Sequence, residues 1–145
     1  MANAVPVGGN VARARLAELF LGTFVYKAHT AASDALWAGV PLLTCRGSTF
    51  TGRVAASLLQ AIGVPELITE NLTDYEALAL KLAETPSLLR IIRLKLEKNR
   101  STQPLFDTGR FKRYIESAYT TMWERYQRGD SPAHFPVAPI RSPGP

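Results

Sequence analysis

The sequence predicts an α/β fold built on a parallel sheet, and three observations carry that prediction. Short apolar runs at 19–24, 42–45 and, more weakly, 66–69 alternate with stretches of helical periodicity. The helical stretches open on small or hydroxyl residues and close on Gly and Pro. Beyond Glu84 the periodicity is helical only. Parallel strands require long crossover connections, and helices of this length supply them. Right-handed crossovers would set helices on both faces of the sheet.

Each element follows from its own residues. Residues 1–9 are small and rich in Gly and read as a flexible lead-in. Residues 11–19 carry Val11, Ala14, Leu16 and Leu19 at helical spacing, and 19–24 read as a buried strand. A helix over 30–37 is stopped by Gly39 and Pro41, and a second strand covers 42–45. A helix over 50–62 turns Val54, Ala55, Leu58, Leu59 and Ile62 inward and closes at Gly63 and Pro65. In the helix over 71–84, Thr73 reads as an N-cap with Glu76 three residues later, a capping box. Residues 87–100 form the next helix, with Leu88, Leu89, Ile91, Ile92 and Leu96 as its apolar positions. A long C-terminal helix, capped by Asp107 or Thr108, reaches about residue 127. It carries Phe111, Tyr114, Ile115, Ala118, Tyr119, Met122, Trp123 and Tyr126 at unbroken i, i+3, i+4, i+7 spacing. Residues 129–145, with Pro132, Pro136, Pro139, Pro143 and Pro145, read as a disordered tail.

Bulk properties narrow the functional class. The chain has 145 residues, 46% hydrophobic and 20% charged, which is globular and large enough for one core. Its longest apolar stretches are interrupted by Gly and Pro and too short to span a bilayer. The first residues lack the basic start and apolar middle of a secretory signal. A single cysteine, Cys45, excludes an internal disulfide and suits a reducing compartment, so the expected location is the cytoplasm. The net charge of +5 arises between Arg90 and Arg113, where eight basic residues face only Glu97 and Asp107. A solvated helical surface explains this better than nucleic-acid binding, because no aromatic-interleaved RNA motif or zinc-ligand spacing accompanies it.

The chemistry concentrates in the run HTAASDALWAGVP, residues 29–41. It reads as the turn and helix of a strand–turn–helix–strand unit. A helix opening at Thr30 aims free N–H groups and the positive end of its dipole at the turn, a place that attracts phosphate. The next strand-to-helix turn, RGSTFT at 46–51, should open on the same edge, where such sheets bind ligands. Structural alternatives accompany each residue. His29 could be a cap, and Asp34 could complement the dipole from the first turn. Ser48, Thr49 and Thr51 could form a turn and N-cap. Trp37 reads as core, Cys45 as inert packing, and His134 has no assigned role.

The same run resembles the H-T-T-x-x-D-x-L-W-A-G-x-P signature of the O-GlcNAc transferase and SPINDLY family, glycosyltransferases of the two-lobed GT-B type. The resemblance continues through RVAASLLQAIGVPELI (53–68), DYEALALKLA (74–83), PLFDTGRF (104–111) and MWERYQRGDSPAHF (122–135), and is closest to the bacterial members. It implies that residues 10–128 are the second half of the C-terminal, nucleotide-sugar-binding lobe, a partial Rossmann-like parallel sheet with flanking helices. It also implies that the other lobe and the first strands of this one lie outside the chain. By the same resemblance, Thr30 and Ala31 hold the diphosphate of UDP-GlcNAc, and Asp34 bonds the ribose hydroxyls. His29 stabilises the leaving diphosphate as the catalytic candidate, and Arg13 lies near the uracil. No cofactor or metal is implied.

Several positions depart from the family pattern. Ala31 stands where a second Thr is usual, which removes a hydrogen bond worth about 1.5–3 kcal/mol to a charged group. Asn10 replaces a base-stacking His, Val7 a Lys, Lys27 an Asn and Gly22 an Asp. The expected function is therefore the donor-binding segment of a protein O-GlcNAc transferase acting on Ser or Thr hydroxyls, with the isolated chain lacking catalytic competence. A non-catalytic remnant or partner-binding module is the alternative, and a GDP-fucose-using relative another. The expected partners are a nucleotide sugar, an acceptor protein, and the missing lobe or a second copy through Phe111, Tyr114, Tyr119 and Trp123. Neither a membrane nor nucleic acid is among them.

Overall fold

The computed structural model describes residues 7–23 and 29–139, with the backbone alone for 7–10. The expectations for residues 1–6, Phe24, Lys27 and 140–145, and for the side chains of Val7 and Asn10, lie outside the described residues. The chain divides into two compact units, Met1–Leu105 and Phe106–Pro145.

The first unit is α/β. Helix α1 (Val7–Ala14) leads to strand β1 (Phe20–Leu21), helix α2 (Thr30–Ala38), strand β2 (Leu42–Cys45) and helix α3 (Phe50–Ala61). A 3-10 turn, Pro65–Leu67, then precedes strand β3 (Ile68–Thr69), helix α4 (Leu72–Glu84) and helix α5 (Pro86–Thr102). The three strands form a parallel sheet in the order β1-β2-β3, with Phe20 opposite Leu42 and Thr44 opposite Ile68. Strand β2 is buried along its whole length, which explains why its four residues read as a continuous apolar run rather than an alternation. Helices α2, α3 and α4 all pack on it, and α1 packs on α2.

The core sits where these helices meet β2. Ala32, Ala35 and Leu36 of α2, Leu42 and Leu43 of β2, and Leu59 of α3 are each at most 1% exposed. In α5, Leu89, Ile92, Leu96 and Asn99 recur at three- and four-residue steps and are buried, while Ile91 is 62% exposed. Gly39 ends α2 in the left-handed conformation at φ 84°, where a side chain would strain the backbone, and Val40 then re-enters the core.

Three local expectations change. The first helix ends at Ala14 rather than 19, and Leu16 and Ala17 close it with short turn bonds to Arg13 and Ala14. The cap of α4 is Asn71, not Thr73: its Oδ1 accepts from the Asp74 amide at 2.8 Å while its Nδ2 donates to the Asp74 carboxylate at 2.8 Å. Asn71 and Asp74 thus form the cap pair, through one side chain-to-amide bond and one side chain-to-side chain bond. Trp37, read as core, is 51% exposed, because the face of α2 turned to β2 carries Ala32, Ala35 and Leu36 and one further residue rotates away from it.

The second unit holds helix α6 (Thr108–Gln127), capped by Asp107, whose Oδ1 accepts from the Arg110 amide at 2.7 Å. No residue of α6 is buried. Residues 131–139 are neither helix nor strand. Arg125 nevertheless donates to the Ser131 carbonyl at 3.3 Å and lies over the Phe135 ring, while Arg128 pairs with Asp130 at 3.0 Å.

Candidate functional site

Two helix openings belong to the candidate site. Strands β1 and β2 are neighbours and parallel, so their carboxyl ends lie at the same edge of the sheet, and α2 and α3 are the helices that follow them in the chain. His29 is the N-cap residue of α2 and half-buried, Thr30 and Ala31 are exposed, and Ser33 and Asp34 are half-buried. The His29 side chain makes no capping bond, and the first turn of α2 carries no acidic residue. Nothing of that turn's own side-chain chemistry therefore neutralises the positive end of the dipole. Asp34 is the fifth residue of α2, one turn in, which removes the expectation that it complements the dipole from the first turn.

The second opening is tightly cinched. Thr49 caps α3, accepting from the Gly52 amide at 3.0 Å, and its hydroxyl meets that of Thr51 at 3.2 Å. Gly47 donates to the Gly52 carbonyl at 3.0 Å, and a Cβ on either glycine would stand 2.9 Å from the other's Cα. The loop therefore closes only with two glycines in contact. Arg53 donates back to the Ser48 carbonyl, and Arg46 pairs with Glu70 at 3.3 Å. Phe50, at the tip, is 75% exposed.

Beneath the rim the end of β1 is tied from below. The Gly22 amide donates to Leu43 at 2.9 Å, and the Gly22 carbonyl accepts from the buried Tyr75 hydroxyl at 3.1 Å. Burial pushes the Tyr75 pKa up, with the Cys45 sulfur adding to the effect. A side chain at Gly22 would meet the Leu43 carbonyl at 3.0 Å, so the aspartate usual in the resembled family has little room here.

Helix α2 thus brings His29, Thr30, Ala31 and Asp34 together along its first two turns. Arg13 comes from a different element, the last turn of α1, and is exposed. The Thr49 hydroxyl, offered as either cap or ligand contact, is the cap. Sequence patterning missed the contacts that reach this region from α4 and α5, including Tyr75. A buried tyrosine in an amphipathic helix carries no signal for which carbonyl it will meet. Among the described residues, no group of three or more His, Cys, Asp and Glu could hold a metal ion, and no helix is long and apolar enough to cross a membrane.

A three-stranded parallel sheet with flanking helices defines a Rossmann-like α/β class of lobe. The comparisons make the class specific. The model of glycosyl transferase family 41 matches residues 1–116, and the chain belongs to that family. A probable UDP-N-acetylglucosamine–peptide N-acetylglucosaminyltransferase, SEC of Arabidopsis thaliana, is 37% identical over 129 residues, 88% of this chain and 13% of that protein. SPINDLY of Hordeum vulgare is 39% identical over 118 residues, 81% of this chain and 12% of that protein. The solved structure of an O-GlcNAc transferase mutant from Thermobaculum terrenum superposes with a TM-score of 0.80 at 29% identity, covering 88% of this chain and 25% of that one. The chain therefore spans about an eighth of the length of these two curated relatives. Its sheet and flanking helices correspond to part of a GT-B glycosyltransferase.

Proposed function

We propose that this chain carries the donor-nucleotide half of a protein O-GlcNAc transferase site, binding UDP-GlcNAc for transfer to Ser or Thr hydroxyls of an acceptor protein in the cytoplasm. The observation that carries this reading is the opening of α2. Thr30 and Ala31 are exposed at the start of a nine-residue helix, and its first turn has no carboxylate to compete with an anion. The Thr30 hydroxyl and the first-turn amides bind the diphosphate, and the helix dipole favours its charge. Asp34 accepts from the ribose hydroxyls. A donor N–H on His29 stabilises the charge that develops on the departing diphosphate. Arg13 contributes at the base. The donor is a substrate, and no metal or cofactor takes part.

Transfer also needs an acceptor held in reacting geometry, which a donor site alone does not provide. These 145 residues by themselves therefore bind without turning over, and a full cleft needs the other lobe of a GT-B fold or a second copy docked through Phe111, Tyr114, Tyr119 and Trp123. Calorimetric titration with UDP, GDP and an oligonucleotide tests the assignment. UDP binding that weakens in Thr30→Val and Asp34→Ala supports it, and preference for GDP points instead to a GDP-fucose donor. Steeply salt-dependent oligonucleotide binding without nucleotide binding would overturn it.

A second reading has its own observation. Ala31 and Gly22 replace a hydroxyl and a carboxylate of the family pattern, and the space around Gly22 is closed. A remnant that keeps the fold as a partner-binding module, with no affinity for any nucleotide, fits those losses. Absence of both UDP and GDP binding would favour it.

A further inference from the structure

Asn99 and Arg100 are adjacent in α5, and each reaches the carboxyl end of a different rim helix. The Asn99 side chain, 8% exposed, donates through Nδ2 to the Ile62 carbonyl at 2.9 Å and the Gly63 carbonyl at 3.3 Å, at the exit of α3. Arg100 donates through Nη1 to the Trp37 carbonyl in the last turn of α2, and its guanidinium lies 5.9 Å from the centre of the Trp37 ring. The last carbonyls of a helix lack partners within it, and a cation placed there is favourable. Here one dipeptide serves two helices, and they are the pair whose amino ends form the candidate rim.

The fit is close at the α3 exit, where a Cβ on Gly63 would stand 2.9 Å from Asn99 Nδ2; at the α2 exit a Cβ on Gly39 would meet Arg100 Nη1 at an ordinary contact distance of 4.0 Å. Asn99 lies on the buried stripe of α5 below Leu96, so the dipeptide is anchored by core packing rather than by solvent-exposed turns. Nine residues of α2 make a rod of about 13 Å, so a tilt at the Trp37 end displaces the amides at the Thr30 end.

We infer that Asn99 and Arg100 act as one clamp that fixes α2 against α3, and that Arg100 is thereby a positioning residue for the donor diphosphate at the opposite end of α2. This rests on the donor assignment made above. Arg100 touches no substrate in this scheme. Its effect falls chiefly on the diphosphate at the first turn of α2: Asp34 stands three residues from Trp37 and Thr30 seven, so a tilt at the Trp37 end moves the ribose contact less than the diphosphate contact.

The test compares UDP with uridine on the full chain, by calorimetry, for the wild type, Arg100→Gln, Arg100→Lys and Trp37→Leu. Arg100→Gln should weaken UDP three- to tenfold and leave uridine within twofold, with Arg100→Lys restoring UDP to within about twofold of the wild type. Trp37→Leu, at a half-exposed position that tolerates change, should cost UDP two- to threefold and keeps the test alive if Arg100→Gln does not fold. In the unliganded protein, hydrogen exchange at amides 33–36 should quicken at least fivefold in Arg100→Gln while α4 amides hold their rates. UDP affinity unchanged in every variant would overturn the clamp and leave the donor assignment standing. Parallel losses for UDP and uridine, or faster exchange in α2 and α4 alike, would reduce Arg100 to a general stabiliser and overturn the clamp as well. A wild type that ignores UDP overturns the donor assignment and the positioning role together.

Discussion

Under the donor assignment proposed above, single residues at the start of α2 set how tightly the diphosphate is held. A hydroxyl bonded to a charged group contributes about 1.5–3 kcal/mol, so Thr30→Val should weaken UDP by on the order of ten- to a hundredfold in calorimetry. The reverse experiment is available next door. Ala31 is exposed and occupies the place of a second threonine, so Ala31→Thr should strengthen UDP by up to about tenfold without loss of stability. Tyr75 offers a prediction of a different kind. Its hydroxyl ties Gly22, and its pKa is raised by burial above the ordinary value near 10.0. A raised value favours the protonated, folded form: the contribution is fully present below about pH 10 and is lost as pH rises through the folded value. Tyr75→Phe should therefore cost about 1 kcal/mol at neutral pH, a deficit that shrinks in denaturant titrations carried out above pH 10. Of these residues, Thr30 and Ala31 were legible in the sequence because helix openings obey local rules. Tyr75 was not, since its partner lies 53 residues away.

Elements were legible to the extent that their signals are local. The four residues of β2 and the long α6 lie where apolar run and period placed them, because burial on both faces and a sustained amphipathic stripe leave direct marks. Caps were harder. Thr73 with Glu76 satisfied the capping-box pattern, yet Asn71 and Asp74 form the cap pair, since two overlapping candidates in one turn differ only in where the chain leaves β3. Asn71→Ala should thus cost about 1 kcal/mol by denaturant melting, with Thr73→Ala nearly neutral. The cinch at 46–52 was half legible: hydroxyl residues announced an N-cap, but the contact between Gly47 and Gly52 is a tertiary fact. Trp37 misled for a related reason. Its size suggested the core, whereas Arg100 covers one face of its ring and leaves the residue half open.

For the molecule as a whole, several basic side chains between Arg90 and Arg113 have local partners, two of them carboxylates. Lys95 pairs with Glu66 at 2.7 Å, Arg93 donates to the Ala17 carbonyl at 2.7 Å, and Arg100 to that of Trp37. Within the second unit, Lys112 pairs with Glu116 at 3.4 Å and Arg110 lies over Tyr114. The aromatic stripe of α6 is the larger feature at this scale. Phe111, Tyr119, Trp123 and Tyr126 are each at least 60% exposed. A stripe of that extent drives association in water, so light scattering should report species larger than a monomer. Trp123→Glu should shift the population back toward the monomer.

The carboxylate-free first turn of α2 has a practical consequence at the bench. Buffers containing orthophosphate, and precipitants rich in sulfate, supply a small oxyanion that such an opening accepts without discrimination. Under the donor assignment proposed above, titrations in those media would understate nucleotide affinity by simple competition, and crystals grown from sulfate should reveal a tetrahedral peak of density above Thr30.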